Sequence, residues 1–181
     1  MHSTFLRCLL IVLCLTSIVR VEAQVRATVP LRPLPPDLNE ISRRAGMIFA
    51  GKILKIEPVR ATSSNEVASV QITVQVEQGV RGARSGQTLS FREWAGLWTP
   101  GARYRVGQRL MLFLYAPSTL GLTSPVGGRS GEFAVDREGR IVLSPGQQQA
   151  IRIAPTPVHV DISRPVPLRD FTRMVRRMQE E

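Results

Sequence analysis

Hydrophobic residues fall along this chain in the short runs and alternations that are typical of β-strands. The densest run outside the N-terminus is LMLFLY at residues 110–115, which lies between Gly107 and Pro117. Six residues are too few to cross a bilayer, and aliphatic and aromatic side chains suit a pleated surface that is buried. We therefore predict that residues 101–116 contain the central strand of the fold, with alternate side chains facing a core and its outer covering.

Other segments also have strand patterns. Residues 47–56 are apolar on both faces, and Gly51 within them marks a bulge or a bend. Residues 70–77 alternate strictly between apolar and polar side chains, which predicts one core face and one solvent face. In residues 88–94 we expect Leu89 and Phe91 to point inward. Two more short strands are predicted at 132–135 and 141–143, joined by a hairpin turn over 136–140.

Helical patterns flank these strands. Asp37 is a predicted N-cap with Glu40 three positions later, and apolar residues then follow on one face of a short helix. Residues 145–167 are rich in Pro and Gln and are predicted to be an extended tail, with an edge strand at 158–162. In residues 168–181, apolar positions at helical spacing lie opposite arginines. We predict an amphipathic C-terminal helix docked on the strands, and a helix lying on a membrane surface is the alternative.

Together these elements predict a mainly β fold. The expected architecture is a small closed or partly open OB-like β-barrel of five to six strands over residues 37–144, with a short N-terminal helix and a C-terminal helix. A barrel fits many short strands separated by turns, because closure removes exposed strand edges.

The N-terminus has the layout of a secretory signal peptide over residues 1–23, with predicted cleavage after Ala23. A Pro-rich linker is expected at 24–36. The two cysteines, Cys8 and Cys14, both lie in the predicted signal, so the mature chain would have no disulfide. We expect an exported protein, periplasmic or extracellular, with no transmembrane segment after cleavage.

The charge and the potential metal-binding residues of the chain exclude few classes of function. The net charge is +10, and Lys52 and Lys55 are the only lysines among the 24 basic residues. Scattered arginines attract anionic surfaces at long range without defining a groove. His159 is the one histidine outside the predicted signal, and no acidic cluster stands out. We therefore predict no metal site, no cofactor and no catalytic residue.

The loop at residues 94–104, WAGLWTPGARY, contains both tryptophans of the chain, a Pro-Gly turn and an aromatic residue at its end. Because Trp, Tyr and Arg dominate binding hot spots, we predict an interaction surface here. Its residues are Arg92, Trp94, Trp98, Arg103, Tyr104 and Arg105. The alternative is that the two tryptophans cap the open end of the barrel, since large aromatic side chains are mostly buried.

Four segments carry a family resemblance in their order along residues 37–143: AGMIFAGKILKI, VQITVQVEQGVRG, PGARYRVGQRLMLFLY and GGRSGEFAV. They resemble a group of exported bacterial proteins of unknown function, whose barrel is similar to the OB-fold and to the netrin-like domain of tissue inhibitors of metalloproteinases. In the inhibitors an N-terminal cysteine reaches the protease zinc. The predicted mature chain begins at Gln24 without a cysteine, so that mechanism does not carry over.

The leading functional hypothesis is an exported, non-catalytic binding or interaction module of the cell envelope, with a protein or an anionic envelope polymer as partner. One alternative is an OB-type binder of single-stranded nucleic acid or of an anionic polymer, although export argues against a nucleic-acid target. The bases of the nucleic acid would stack on four aromatic side chains: Phe91, Trp94, Trp98 and Tyr104. A further alternative is an enzyme with an unrecognised carboxylate site among Glu93, Glu132 and Asp136.

Overall fold

The structure is a computed structural model, and it describes residues 37–62, 66–99, 101–153 and 164–180. The predicted signal peptide (1–23), the linker (24–36) and the edge strand (158–162) lie outside the described residues.

The fold is mainly β, as predicted, with three helices and seven strands in the described parts of the chain. The elements in chain order are α1 (Leu38–Arg44), β1 (Met47–Val59), β2 (Ser69–Arg81), β3 (Thr88–Trp94), β4 (Arg109–Leu114), β5 (Glu132–Val135), β6 (Arg140–Val142), α2 (Pro145–Ile153), β7 (Val166–Pro167) and α3 (Leu168–Arg177). Short 3₁₀ turns follow β3 at Ala95–Trp98 and precede β5 at Gly128–Gly131.

The strands form one antiparallel sheet in the order β3-β2-β1-β4-β5-β6-β7. This order leaves β3 and β7 at opposite ends, so the sheet is open and has seven strands where five to six were expected. The chain after β4 links β3 to β4 at one point. There the Thr123 amide donates to the Arg92 carbonyl (2.8 Å), and the Tyr115 amide donates to the Ser124 carbonyl (3.0 Å).

Strand β4 lies between two hydrophobic clusters, as the sequence predicts. Its side chains alternate, because successive residues of a strand point to opposite faces of the sheet. Leu110, Leu112 and Leu114 pack with apolar residues of β1, β2 and β3 in the inner cluster. Met111 and Phe113 face the outer cluster, which includes the buried sides of the three helices. The central role predicted for this strand is therefore confirmed.

The C-terminal helix docks on the outer face of the sheet. The apolar positions of α3 and Met178, the residue that follows it, are buried, and Phe171 extends a row of aromatic rings that begins at Phe113 and Phe133. The ring centroids are 5.3 Å apart for Phe113 and Phe133 and 5.2 Å apart for Phe133 and Phe171. Because this apolar face is covered by the sheet, it is not free to enter a membrane surface.

Helix α1 begins as its sequence predicts. The Asp37 side chain accepts a hydrogen bond of 2.7 Å from the Glu40 amide, which satisfies one of the free donors of the first turn. Leu38 and Ile41 are buried against the outer cluster. The N-cap and the core face of this helix are confirmed.

The prediction of an extended tail at 145–167 is wrong in its first part, because residues Pro145–Ile153 form helix α2. At the start of this helix, the side chains of Ser144 and Gln147 each accept a hydrogen bond from the backbone amide of the other residue. The Gln147 Oε1 accepts from the Ser144 amide (2.9 Å), and the Ser144 Oγ accepts from the Gln147 amide (3.4 Å). This is a capping box with Pro145 at the first helical position, where a proline costs no hydrogen bond.

Gly51 marks a bulge, as predicted. The pairing of β1 with β2 shifts register between Ala50 and Gly51. A Cβ atom at Gly51 would lie 2.5 Å from the Gln75 carbonyl oxygen and 2.6 Å from Val74 Cγ1. The close approach of β2 therefore requires glycine at this position.

We predict that Gly51→Ala lowers the free energy of unfolding by about 1–3 kcal/mol, because the added methyl group overpacks a fixed backbone contact. Urea denaturation followed by circular dichroism measures the change. The control is Gly146→Ala in α2, where a Cβ meets nothing within 4 Å. This control should be neutral or stabilising, since Ala favours helices over Gly. Equal stability of the two variants would contradict the close contact at Gly51.

Candidate functional site

The structure divides the predicted interaction surface into buried and exposed residues. Tyr104 is buried, with 2% of its surface exposed, and Trp98 and Arg103 are half-buried. Trp94 is 53% exposed, Arg105 is exposed, and Arg92 is half-buried. The six residues therefore do not form a single surface.

The buried members surround a carboxyl group that was not part of the predicted surface. Glu93 lies on β3 with its side chain fully buried at one end of the inner cluster. The Tyr104 hydroxyl donates to Glu93 Oε1 (2.9 Å), and the Trp98 indole N–H donates to Glu93 Oε2 (3.1 Å). The Trp98 and Tyr104 rings also meet edge to face, with centroids 5.5 Å apart. Both aromatic residues thus hold the buried carboxyl in place.

Arg103 and Glu132 complete this group, which we call the Glu93 cluster: Glu93, Trp98, Arg103, Tyr104 and Glu132. Arg103 Nη2 donates to Glu132 Oε1, and Arg103 Nε lies 3.5 Å from Glu93 Oε2. The Nε contact is an ion pair without hydrogen-bond geometry. The guanidinium also lies over the Tyr104 ring, 5.8 Å from its centroid. The side chains of Arg103 and Glu132 are 17% and 14% exposed, so they form the solvent side of the cluster.

Tyr104 lies between the two carboxyl groups of the cluster. The Tyr104 oxygen lies 2.9 Å from Glu93 Oε1 and 3.3 Å from Glu132 Oε1, but a tyrosine has one hydrogen for these two contacts. The hydroxyl therefore donates to one of the two carboxyl groups at a time, and Arg103 supplies a further donor to Glu132.

The pKa values of three residues in the cluster are raised. Burial raises the pKa of Glu93 above its usual 4.5, and this outweighs the opposing effects of Tyr104, Arg103 and Trp98. Burial and the two carboxylates also raise the pKa of Tyr104, which keeps its hydroxyl proton. For Arg103, burial lowers the pKa, but the carboxylates of Glu132 and Glu93 outweigh it and the pKa is raised.

The three carboxylates that the enzyme alternative named lie in two places. Glu93 and Glu132 meet at Tyr104, whereas Asp136 binds the Arg140 side chain in the β5–β6 hairpin at 2.8 Å. A reacting group must reach the carboxyl that acts on it. Since Glu93 is fully buried, the cluster presents no accessible carboxylate pair in this conformation and instead closes the end of the inner cluster.

The exposed members of the predicted surface have different neighbours. Trp94 follows Glu93 and points to the opposite face of β3, where its indole rests on Gly96. A Cβ atom at Gly96 would collide with the Trp94 ring. The ring is therefore exposed but held against the backbone.

Trp94 borders an open groove of about 410 Å³, which Leu97, Leu122 and the chain after β4 also line. Leu122 also lines a second groove of about 210 Å³, together with Val67, Leu120 and Arg92. Leu120 is 50% exposed and Val67 is 39% exposed. We call this apolar region the Trp94 surface: Val67, Trp94, Leu97, Leu120 and Leu122.

The base-stacking platform of the nucleic-acid alternative does not form in this conformation. Phe91 and Tyr104 are buried in the inner cluster, and Trp98 is held against Tyr104 and Glu93. Trp94 alone of the four aromatic side chains is exposed. Successive bases need several accessible rings along one groove.

Comparisons with known proteins add no family to this description: no protein-family model matches the chain, and no curated protein matches it significantly. Within the described residues, no three His, Cys, Asp or Glu side chains are grouped closely enough to hold a metal ion. No helix in those residues is both long and apolar enough to cross a membrane.

The Glu93 cluster predicts a specific dependence of stability on pH. Because the pKa of Glu93 is raised in the folded state, its proton stabilises the fold fully below about pH 4.5, and this contribution is lost as the pH rises through the folded-state pKa. In Glu93→Gln this contribution is absent. The advantage of the wild type over Glu93→Gln should therefore be greatest in acid and should shrink as the pH rises.

Chemical denaturation of the two proteins between pH 4 and pH 9 measures this difference. Glu180→Gln is the matched control, because Glu180 is exposed and its loss should leave the shape of the pH profile unchanged. A constant difference between wild type and Glu93→Gln at every pH would show that Glu93 does not titrate in this range.

Proposed function

We propose that this protein is an exported, non-catalytic interaction module of the cell envelope, periplasmic or extracellular, and that it binds a protein partner through the Trp94 surface. We also propose that its open sheet is a partly closed, OB-like barrel of the netrin-like kind. The link from β3 through Thr123 and Ser124 to β4 supports this, because it joins two strands that are not neighbours in the sheet.

The exposed and positioned Trp94 carries the functional proposal. Binding hot spots are enriched in tryptophan, and a side chain that is already held in place loses little conformational entropy on binding. The indole rests on Gly96, which keeps the ring beside the groove. Nothing in the sheet pairing requires a tryptophan here, since the side chain points away from the inner cluster.

The neighbouring side chains favour a protein partner over an anionic polymer at this surface. Val67, Leu120 and Trp94 expose apolar area that an apolar side chain of a partner can cover. Arg92 is held at the edge, where its Nη2 donates to the Leu120 carbonyl (3.1 Å). A partner with an apolar anchor and an acidic group beside it would match this arrangement.

The test uses the mature chain, immobilised and exposed to an extract of the cell envelope, followed by affinity measurement with the protein it retains. We predict that Trp94→Ala weakens that complex about 30-fold or more, the loss typical of a hot-spot residue. Thermal stability should change little, because the Trp94 side chain is largely exposed.

Two control variants separate binding from folding. Val106→Ala removes a 65% exposed apolar side chain outside the Trp94 surface and should leave affinity unchanged. Trp98→Ala should lower the melting temperature, because it removes a donor to the buried Glu93 and an aromatic contact with Tyr104. If Trp94→Ala binds as well as the wild type, the proposed surface is wrong.

A further inference from the structure

We infer that a second surface of this protein, formed by arginines on α1, α3 and the β2–β3 turn, binds a linear polyanion. This surface differs from the Trp94 surface in its residues and in its partner. We call it the arginine face: Arg43, Arg44, Arg84, Arg173, Arg176 and Arg177.

The packing of α3 determines which side of the helix meets solvent. Phe171, Met174 and Val175 are buried against the sheet. The arginines of the helix therefore lie on the opposite side, and Arg173, Arg176 and Arg177 are exposed. No apolar side chain remains on that side to compete with the positive charge.

Direct contacts bring the other two elements beside α3. The Gln179 amide group donates to Ser42 Oγ of α1 (3.2 Å), and Arg176 Nη2 donates to the Gly79 carbonyl of β2 (2.9 Å). Thr172 Oγ1 donates to Gln78 Oε1 (2.8 Å). Arg43 and Arg44 in α1 and Arg84 in the turn after β2 are all exposed next to these contacts.

A further contact fixes α1 on the end of β2. Arg81 Nη1 donates to the carbonyl oxygens of Ser42 (3.0 Å) and Ala45 (2.7 Å), at the C-terminus of the helix. A cation is favourable there, because the last helical carbonyls carry partial negative charge. Specific hydrogen bonds therefore hold α1 against the end of β2. Arg43 and Arg44 on α1 thus keep a fixed position relative to Arg84 in the turn that follows β2.

The positive charge of this face is not neutralised within the described chain. Arg44 pairs with Glu40 at 3.3 Å and Arg173 pairs with Asp170 at 3.4 Å. No ion-pair partner within the described residues accompanies Arg43, Arg84 or Arg177, and Arg176 binds a neutral carbonyl. With Glu180 also counted, six arginines stand against three acidic residues, which leaves a net charge of +3.

The composition of the face selects the class of partner. In the described residues, the large apolar side chains that are exposed all lie on other elements: Leu54, Val67, Trp94, Val106, Leu120 and Val142. A protein interface usually needs a buried apolar or aromatic anchor, and insertion into a membrane needs apolar side chains. A chain of closely spaced anions needs only cations displayed along a surface, and guanidinium groups bind phosphate in a bidentate manner. Within the described residues no aromatic ring is exposed among these arginines, so bases would have nothing to stack on. We therefore assign a linear, non-nucleic polyanion.

The test measures binding of the mature chain to long-chain inorganic polyphosphate as a function of salt concentration. We predict that Arg173→Gln/Arg176→Gln/Arg177→Gln weakens binding about tenfold or more at low salt and lowers the slope of log K against log salt by about two to three. The matched control removes three exposed arginines from other elements: Arg60→Gln/Arg129→Gln/Arg137→Gln. It has the same net charge and should retain most of the affinity and the slope.

Each other result would overturn the assignment. Equal losses in the two triple variants would show that only net charge matters, and equal affinity for tripolyphosphate would show that no polymer is recognised. Stronger binding to poly-glutamate, to single-stranded DNA or to anionic lipid vesicles would assign an acidic protein, a nucleic acid or a membrane instead. Trp94→Ala should bind polyphosphate as the wild type does, so failure of the polyanion proposal and failure of the Trp94 proposal are distinguishable.

Discussion

The burial of β4 on both faces is the constraint on which the rest of the structure depends. Five consecutive residues of this strand are buried, so apolar side chains need cover above and below the sheet. On one side, apolar residues of β1, β2 and β3 pack against Leu110, Leu112 and Leu114. On the other side, Met111 and Phe113 pack with apolar residues of neighbouring strands and of α1, α2 and α3. The helices are therefore part of the core on this side of the central strand.

The Glu93 cluster and the Trp94 surface are two results of one strand geometry. Adjacent residues of β3 point to opposite faces, so the strand that directs Glu93 into the end of the inner cluster directs Trp94 outward. The pairing of Val70 with Glu93 and of Ser69 with Trp94 fixes that register. A polar group at the end of an apolar cluster must have hydrogen-bond partners, and Trp98 and Tyr104 supply them. The loop that displays Trp94 is thus anchored by the buried carboxyl.

The sequence predicted elements whose signals are local. Alternation located β2 and β3, and Asp37 with Glu40 located α1, because these patterns depend on neighbouring residues. Helix α2 was missed although Ser144 and Gln147 form a capping box with a proline between them, because the Pro- and Gln-rich composition was given more weight. The position of Glu93 follows from the same alternation that places Phe91 inward. Its partners do not, because Arg103 and Glu132 reach it across separations that only the folded chain closes.

The two proposed surfaces are formed by side chains that do not pack in the core. The apolar side of α3 is buried, so the helix can offer only charged side chains to a partner. Binding through those charges must weaken steeply as the salt concentration rises. The outward side of β3 is different, because the chain after β4 crosses there and leaves Leu120 and Trp94 partly uncovered. Binding to that apolar area releases water and depends little on salt. The protein would thus bind one partner by electrostatic attraction and the other by the hydrophobic effect. A change in salt concentration would alter the first interaction strongly and the second only a little.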